Sequence, residues 1–167
     1  MITLYPCQNT EEDAETAFLW RNDPQTVAAA YYPRPKSRDS FFMEFRECYF
    51  LNPDLPPLFI LNDGLPAGFM RFEVIELPDL IGKNVVELMI NIAPQWRKKG
   101  VGSAALSALK PLMKSKNVHV LSADVRKENI ASRRLFEKNG FALSGEREEF
   151  IKKINEKCQI LCYRYLL

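Results

Sequence analysis

"VVELMINIAPQWRKKGVGSAALSALKPL", residues 85–112, joins an apolar strand-like run to an apolar helix-like run through a cationic, glycine-containing loop. Residues 85–94 are near-continuously apolar and β-branched, as a buried strand requires. From Val101 the apolar positions Val101, Ala105, Leu106, Leu109 and Leu112 follow helical spacing, with Pro111 expected to kink or shorten the helix. A helix beginning at Val101 aims its free N–H groups and positive dipole end at whatever lies over Gly100, Val101, Gly102 and Ser103, an arrangement suited to an anion. Glycines at 100 and 102 permit close backbone approach, and Arg97, Lys98 and Lys99 supply positive charge. The spacing alone leaves a second reading open, a solvated basic turn with a glycine start to a helix.

Two phosphate loops can be weighed against this stretch. The triphosphate pattern G-x-x-x-x-G-K-[ST] is absent. "GVGSAA" does satisfy the dinucleotide pattern, and Asp124 follows about 20 residues on, where a ribose-binding acid is expected. However, "PQWRKK" separates the strand from Gly100, the loop is unusually cationic for that role, and too few β-α units follow for a doubly wound sheet. An NADH-binding domain stays as a third reading.

The 167 residues, 47% hydrophobic and 26% charged, suit a single domain spanning 1–167. A net charge of +2 argues against a nucleic-acid partner. No stretch approaches the ~18 apolar residues of a membrane span, and "MITLYPCQNTEED" turns acidic before a signal-like run, so the expectation is a cytoplasmic protein without a membrane partner. Cys7, Cys48, Cys158 and Cys162 form no metal-binding or redox pattern, so no metal is expected and the thiols read as reduced and mostly buried.

The remaining elements follow from local signals. "ITLY" at 2–5 is a short strand, and Asn9-Thr10 caps a helix that stops before Pro24. A second helix covers "FFMEFRECYF" after Ser37 or Ser40, and the rest of 20–57 reads as irregular. "LFIL" and "PAGFMRFEVI" flank the turn "NDG" at 62–64, a hairpin signal. "VHVLSADV" at 118–125 is a strand, "ENIASRRLFEKNG" a helix closed by Gly140, and "FALSGEREEF" and "CQILCYRYLL" two closing strands.

With "ENIASRRLFEKNGF" at 128–141, the loop resembles the GNAT superfamily of acyl-coenzyme A dependent N-acetyltransferases. Its pattern [QR]-x-x-G-x-[GA] is met from Arg97 to Gly102. N-x-x-[AS]-x-x-[LFY]-[YF]-x-[KR]-x-G-F is met from Asn129 through Ser132, Leu135, Phe136, Lys138 and Gly140 to Phe141. Two motifs in the right order with one strand between them are far more specific than either alone. The resemblance implies an α/β (α+β) fold, a mixed and mostly antiparallel sheet splayed in the middle, with helices on both faces. It implies acetyl-CoA as cofactor, its pyrophosphate on residues 97–103 and its pantetheine arm beside Met89, Ile90, Asn91 and Ile92, with Asn129, Ser132 and Phe136 on the opposite wall. An N–H near Ile90 would face the thioester oxygen.

A primary amine of pKa ~10 must lose a proton before it attacks. Glu87 matches a position at which some relatives carry a base; the other reading is an ordinary strand carboxylate. Glu73 is a weaker substitute. His119 reads as structural or exposed. Phe136 stands where the family often has a proton-donating tyrosine, which leaves Ser132 or Tyr163 as donors and no spacing argument to choose between them. Acceptor choice in this fold comes from the N-terminal helices. "LWRNDPQTV" and neighbouring stretches look like the branch of amino-sugar nucleotide N-acetyltransferases, with ribosomal-protein N-acetyltransferases nearby. Arg21, Arg34, Lys36 and Arg38 are candidates for a nucleotide diphosphate, and Trp20, Tyr31 and Tyr32 for stacking, although Trp20 sits better in a core beside Ala17 and Phe18. The expectation is an acetyl-CoA dependent N-acetyltransferase, monomer or homodimer, acting on a small-molecule amine, favourably a nucleotide-linked amino sugar. The alternatives are acetylation of protein N-termini and a non-catalytic acyl-CoA sensor.

Overall fold

Asp63 and Gly64 both adopt positive φ (49° and 80°), closing the hairpin that begins the sheet's core. In the computed structural model, which describes residues 1–152 and 155–167, the strands are β1 (Ile2–Pro6), β2 (Leu58–Asn62), β3 (Leu65–Ile75), β4 (Val85–Ile92), β5 (Val120–Arg126), β6 (Ala142–Ile151) and β7 (Glu156–Leu166). The helices are α1 (Glu11–Arg21), α2 (Pro24–Ala29), α3 (Arg38–Cys48), α4 (Val101–Ser115) and α5 (Ile130–Lys138). The strands form one seven-stranded sheet in the order β1-β2-β3-β4-β5-β7-β6. Its neighbours are antiparallel except β4 and β5, which are parallel and joined through α4.

Strand alternation divides the core. Ile60 and Met70 face α4 and α5, where they pack with Leu106, Leu109, Leu121 and Phe136, while their neighbours Phe59 and Phe69 face Ala14, Ala17, Phe41 and Phe45 of α1 and α3. Full burial of one such side chain stabilises the fold by roughly 1.5–3 kcal/mol. Helices therefore cover both faces of a mixed, mostly antiparallel sheet.

Three local expectations change. The segment after α1 holds a further helix, α2, in which Pro24 takes the first helical position and Asp23 caps it by accepting from the Thr26 N–H at 3.0 Å. Pro111 does not shorten α4, which runs on to Ser115; Pro111 and Ser107, whose carbonyl loses its partner, both lie on the exposed side where water can reach. The strand expected from 118 begins at Val120.

Candidate active site

β4 and β5 are in register at only three pairs among the described residues, the last being Glu87 with Ser122. Beyond that point they part, while β4 stays paired to β3 as far as Ile92. The Ala93 N–H donates to the Ala67 carbonyl (2.9 Å), which fixes the phase of the β3–β4 ladder. By alternation Leu88, Ile90 and Ile92 turn their amide groups away from β3, and those of Ile90 open into the gap. The side chains of Ile90 and Ile92 pack against the α4/α5 core, whereas Met89, 42% exposed, lies beside Arg71 on the α1/α3 side. The gap is thus bordered at Ile90 and Ile92 by backbone, and at Glu87, Met89 and Asn91 by side chains as well.

At the outer end Gly100 holds φ 79° as the N-cap of α4, without a side-chain cap, which leaves the first-turn N–H groups of the helix uncapped. Gly102 has a different duty. A Cβ there would meet both Leu135 methyls at 3.2 and 3.3 Å, so its smallness lets α4 pack on α5. Lys98 and Lys99 are exposed, with the Lys99 ammonium 5.3 Å from the Trp96 ring centroid. Arg97 departs from expectation. Its guanidinium donates to Asp23 (2.6 Å), Gln25 (2.9 Å), Thr26 (2.8 Å) and the Ile92 carbonyl (3.1 Å), so it ties α2 to the loop and is not presented to an anion. Burial opposes ionisation of Asp23, but the bonds from Arg97 and Thr26 outweigh it and hold the carboxyl below its usual range. Buried Val101 packs in the main core, and the Ser103 hydroxyl accepts from Asn139 (3.0 Å).

Across the gap, Asn129 caps α5 by accepting from the Ser132 N–H (3.1 Å) and donates to the Ala29 carbonyl (3.0 Å). Helix α2 is therefore tethered at both ends, to the loop by Arg97 and to α5 by Asn129. Ser132 is half-buried in the first turn of α5. Phe136 is buried between Phe141 and Tyr163. Tyr163 lies on the α4/α5 side of the sheet, donating to Glu137 at 2.6 Å, and burial with that bond pushes its pKa up. It does not share a face with Glu87, so the structure does not bring these two expected catalytic residues together.

Glu87 lies where the gap begins, half-buried, with its pKa pushed up to about 7 by burial first, then by the charges of Asp124 and Glu73, against relief from Arg147 and Arg71. Glu73 is its direct β3 partner and is exposed. Asp124 is paired with Arg147 of β6 at 2.5 Å, and Tyr31 donates to Glu149 of the same strand, which docks the segment after α2 on the sheet. The Asp124–Arg147 pair was not legible beforehand, because its partners are brought together only by the β5-β7-β6 order.

The proposed acceptor residues separate. Trp20 packs edge-on to Phe59 in the α1/α3 core (6.0 Å between centroids). Tyr32 is exposed beside Tyr31. Arg21 donates to the carbonyls of Tyr32 (3.1 Å) and Arg34 (3.5 Å). Arg71, which sequence reading passed over, reaches Glu44 of α3 (3.4 Å) and stacks over Tyr49 (4.7 Å); its place two residues before Glu73 on one strand face was the available signal. His119 accepts at Nδ1 from the Asn84 N–H (2.8 Å), a structural role as expected. All four cysteines are free thiols, with Cys48 exposed. No described helix is long and apolar enough to cross a membrane, and no described cluster of ligating side chains suits a metal.

Known proteins share this arrangement. A protein of Bacillus subtilis (strain 168), provisionally named a ribosomal protein bS18-alanine N-acetyltransferase, is 27% identical over 135 residues, 81% of this chain and 83% of its own. A Salmonella typhimurium protein, provisionally an acetyltransferase and solved with its cofactor acetyl-CoA, superposes with a TM-score of 0.76 at 20% identity, covering 100% of this chain and 94% of that one. The aminoglycoside acetyltransferase AAC(6')-Ib in complex with coenzyme A gives 0.79 at 16% identity, with 99% and 95% covered. These two likenesses establish the fold. Residues 2–142 match the family profile described as "Acetyltransferase (GNAT) domain", and the chain belongs to the GNAT acetyltransferase family.

Proposed function

We propose that this protein moves the acetyl group of acetyl-CoA directly to a primary amine, with a nucleotide-linked amino sugar as the favoured acceptor. The observation that carries the reading is the β4–β5 gap with a half-buried carboxylate, Glu87, at its inner end and the uncapped start of α4 at its outer end. The donor set suits the coenzyme. The α4 first-turn amides with Lys98 and Lys99 match a pyrophosphate, and the outward amide groups of Ile90 match an arm that needs backbone hydrogen bonds. When bound, acetyl-CoA supplies the activated acyl thioester.

The chain's own residues supply the rest. Glu87, close to half ionised at neutral pH, accepts the proton that an alkylammonium of pKa ~10 must lose. The Ile90 N–H offers a donor where negative charge develops. Phe136 and Tyr163 contribute no acid at the gap, and a thiol of pKa ~8.5 leaves tolerably without one.

Protein N-termini are the second reading, favoured by the name of the Bacillus subtilis relative. Calorimetry with acetyl-CoA, with NADH as control, followed by thiol release with an amino-sugar nucleotide and with an alanine-terminated peptide, tests all of this. Micromolar acetyl-CoA binding and faster release with the sugar are expected. Faster release with the peptide replaces the acceptor, binding without release to any amine makes the domain a sensor, and binding of NADH alone overturns the reading.

A further inference from the structure

On the α1/α3 side, two residue pairs along the β3–β4 ladder from Glu73 and Glu87, Arg71 and Met89 are partners. Around Arg71 gather Lys36 from the segment before α3, Glu44 of α3, Tyr49 and the Arg21 guanidinium at the end of α1. Glu44 is shared: Lys36 pairs with one of its oxygens, while the other accepts from Arg71 (3.4 Å) and Tyr49 (3.4 Å). Among the described residues Arg21 pairs with no carboxylate; it donates to two backbone carbonyls through one nitrogen, and its buried Nη1 has no partner. Among the described residues, these three cations therefore have one directly paired carboxylate between them.

The imbalance is not relieved by water alone. The Lys36, Arg71 and Glu44 side chains are only 23%, 22% and 27% exposed. Burial depresses the pKa of both Lys36 and Arg21, and Arg71 adds to the repulsion on each. Unpaired charge held away from water is costly, and an arriving anion removes that cost while gaining charge-assisted hydrogen bonds. The anion's place relative to the chemistry is also fixed. A step of two residues along a strand is roughly 7 Å, and Arg71 is near enough to Glu87 for its charge to favour the ionised carboxylate.

We propose that Arg21, Lys36 and Arg71 form a subsite for an anionic group of the acceptor, a phosphate or a carboxylate, about one strand step from the amine that Glu87 deprotonates. The subsite rests on the acetyl-transfer reading of the Glu87 site and sharpens it: the acceptor carries negative charge near its amine, unlike a purely cationic aminosugar.

The test separates the subsite from the reaction. Protein saturated with coenzyme A, which fills the loop at Gly100, is titrated calorimetrically with inorganic pyrophosphate and, separately, with N-acetylglycine. One of the two is expected to bind; the tighter names the acceptor's anion, and either upholds the subsite. Arg71→Gln and Lys36→Met are expected to weaken that binding at least about tenfold. Glu44→Gln is expected to tighten it several-fold, because it removes the carboxylate that pairs directly with Lys36 and Arg71. A merely structural Glu44 would give no tightening, so this variant decides the matter even if Arg71→Gln unfolds the wall. Failure of the wild type to bind either probe, or no tightening in Glu44→Gln, overturns the subsite. Acetylation of neutral amines without anion binding sinks the subsite and leaves the reaction standing; anion binding without transfer to any amine does the reverse.

Discussion

Two cationic regions flank the gap, and they are built differently. At the loop, Lys98 and Lys99 are exposed and the organised part is backbone: Gly100 in its left-handed conformation and the uncapped start of α4. On the α1/α3 side, Arg21, Lys36 and Arg71 are half-buried side chains from separate elements, held by one carboxylate, one aromatic ring and two carbonyls. On the proposed reading the coenzyme half is made of main chain and tolerates side-chain change, whereas the acceptor half is made of side chains and does not. Variation in acceptor with constancy in coenzyme is what such a division permits.

The largest test of that contrast is Glu87→Gln, expected to lower kcat by about 100-fold or more while leaving the KM for acetyl-CoA within about twofold. With wild-type protein, kcat/KM should rise with pH through about 7 as Glu87 ionises, and this limb should vanish in the variant. The stability sign runs the other way. The folded carboxyl keeps its proton up to about 7 and the unfolded one loses it near 4.5, so the native state loses stability as pH rises across that window. Glu87→Gln removes the penalty, and at pH 8 its Tm should exceed wild type by roughly 2 °C or more, read by calorimetric melting. A variant both slower and less stable at pH 8 would break the assignment of Glu87 as a desolvated base.

On the coenzyme half, Gly100→Val forces a β-branched residue into positive φ and should raise the acetyl-CoA KM by about tenfold. Gly102→Ala should cost less, about 1 kcal/mol or under, because the added methyl meets the movable end of Leu135. The smallest effect is expected from Lys98→Ala with Lys99→Ala, a two- to fivefold rise in KM at low salt that disappears near 0.5 M salt, as screening of exposed charge requires. A loss as large as that of Glu87→Gln would show that side chains, not backbone, make the loop.

The same division explains what the sequence revealed. The loop, the hairpin at Asp63-Gly64 and the α5 motif are contiguous, so their glycines and caps were legible residue by residue. Glu87 was placed correctly on its strand, and the backbone character of the gap followed from the family pattern. The Arg97 tether escaped because its partners lie more than 70 positions away in an unexpected helix, and so did the Asp124–Arg147 pair. Helix α2 itself has no buried residue and no apolar periodicity to announce it; only Asp23-Pro24 marked its start. No spacing argument chose between Ser132 and Tyr163, because the face that Tyr163 takes follows only from the pairing of β7 in the sheet.

That unburied helix has an engineering consequence. Because α2 is fastened by polar tethers at Arg97 and Asn129 and contributes nothing to either core, its outward residues Pro24 and Ala28, which hold neither tether, can be exchanged without repacking the molecule. A library confined to those positions would vary the surface beside the Arg97 loop while the melting temperature stays nearly constant.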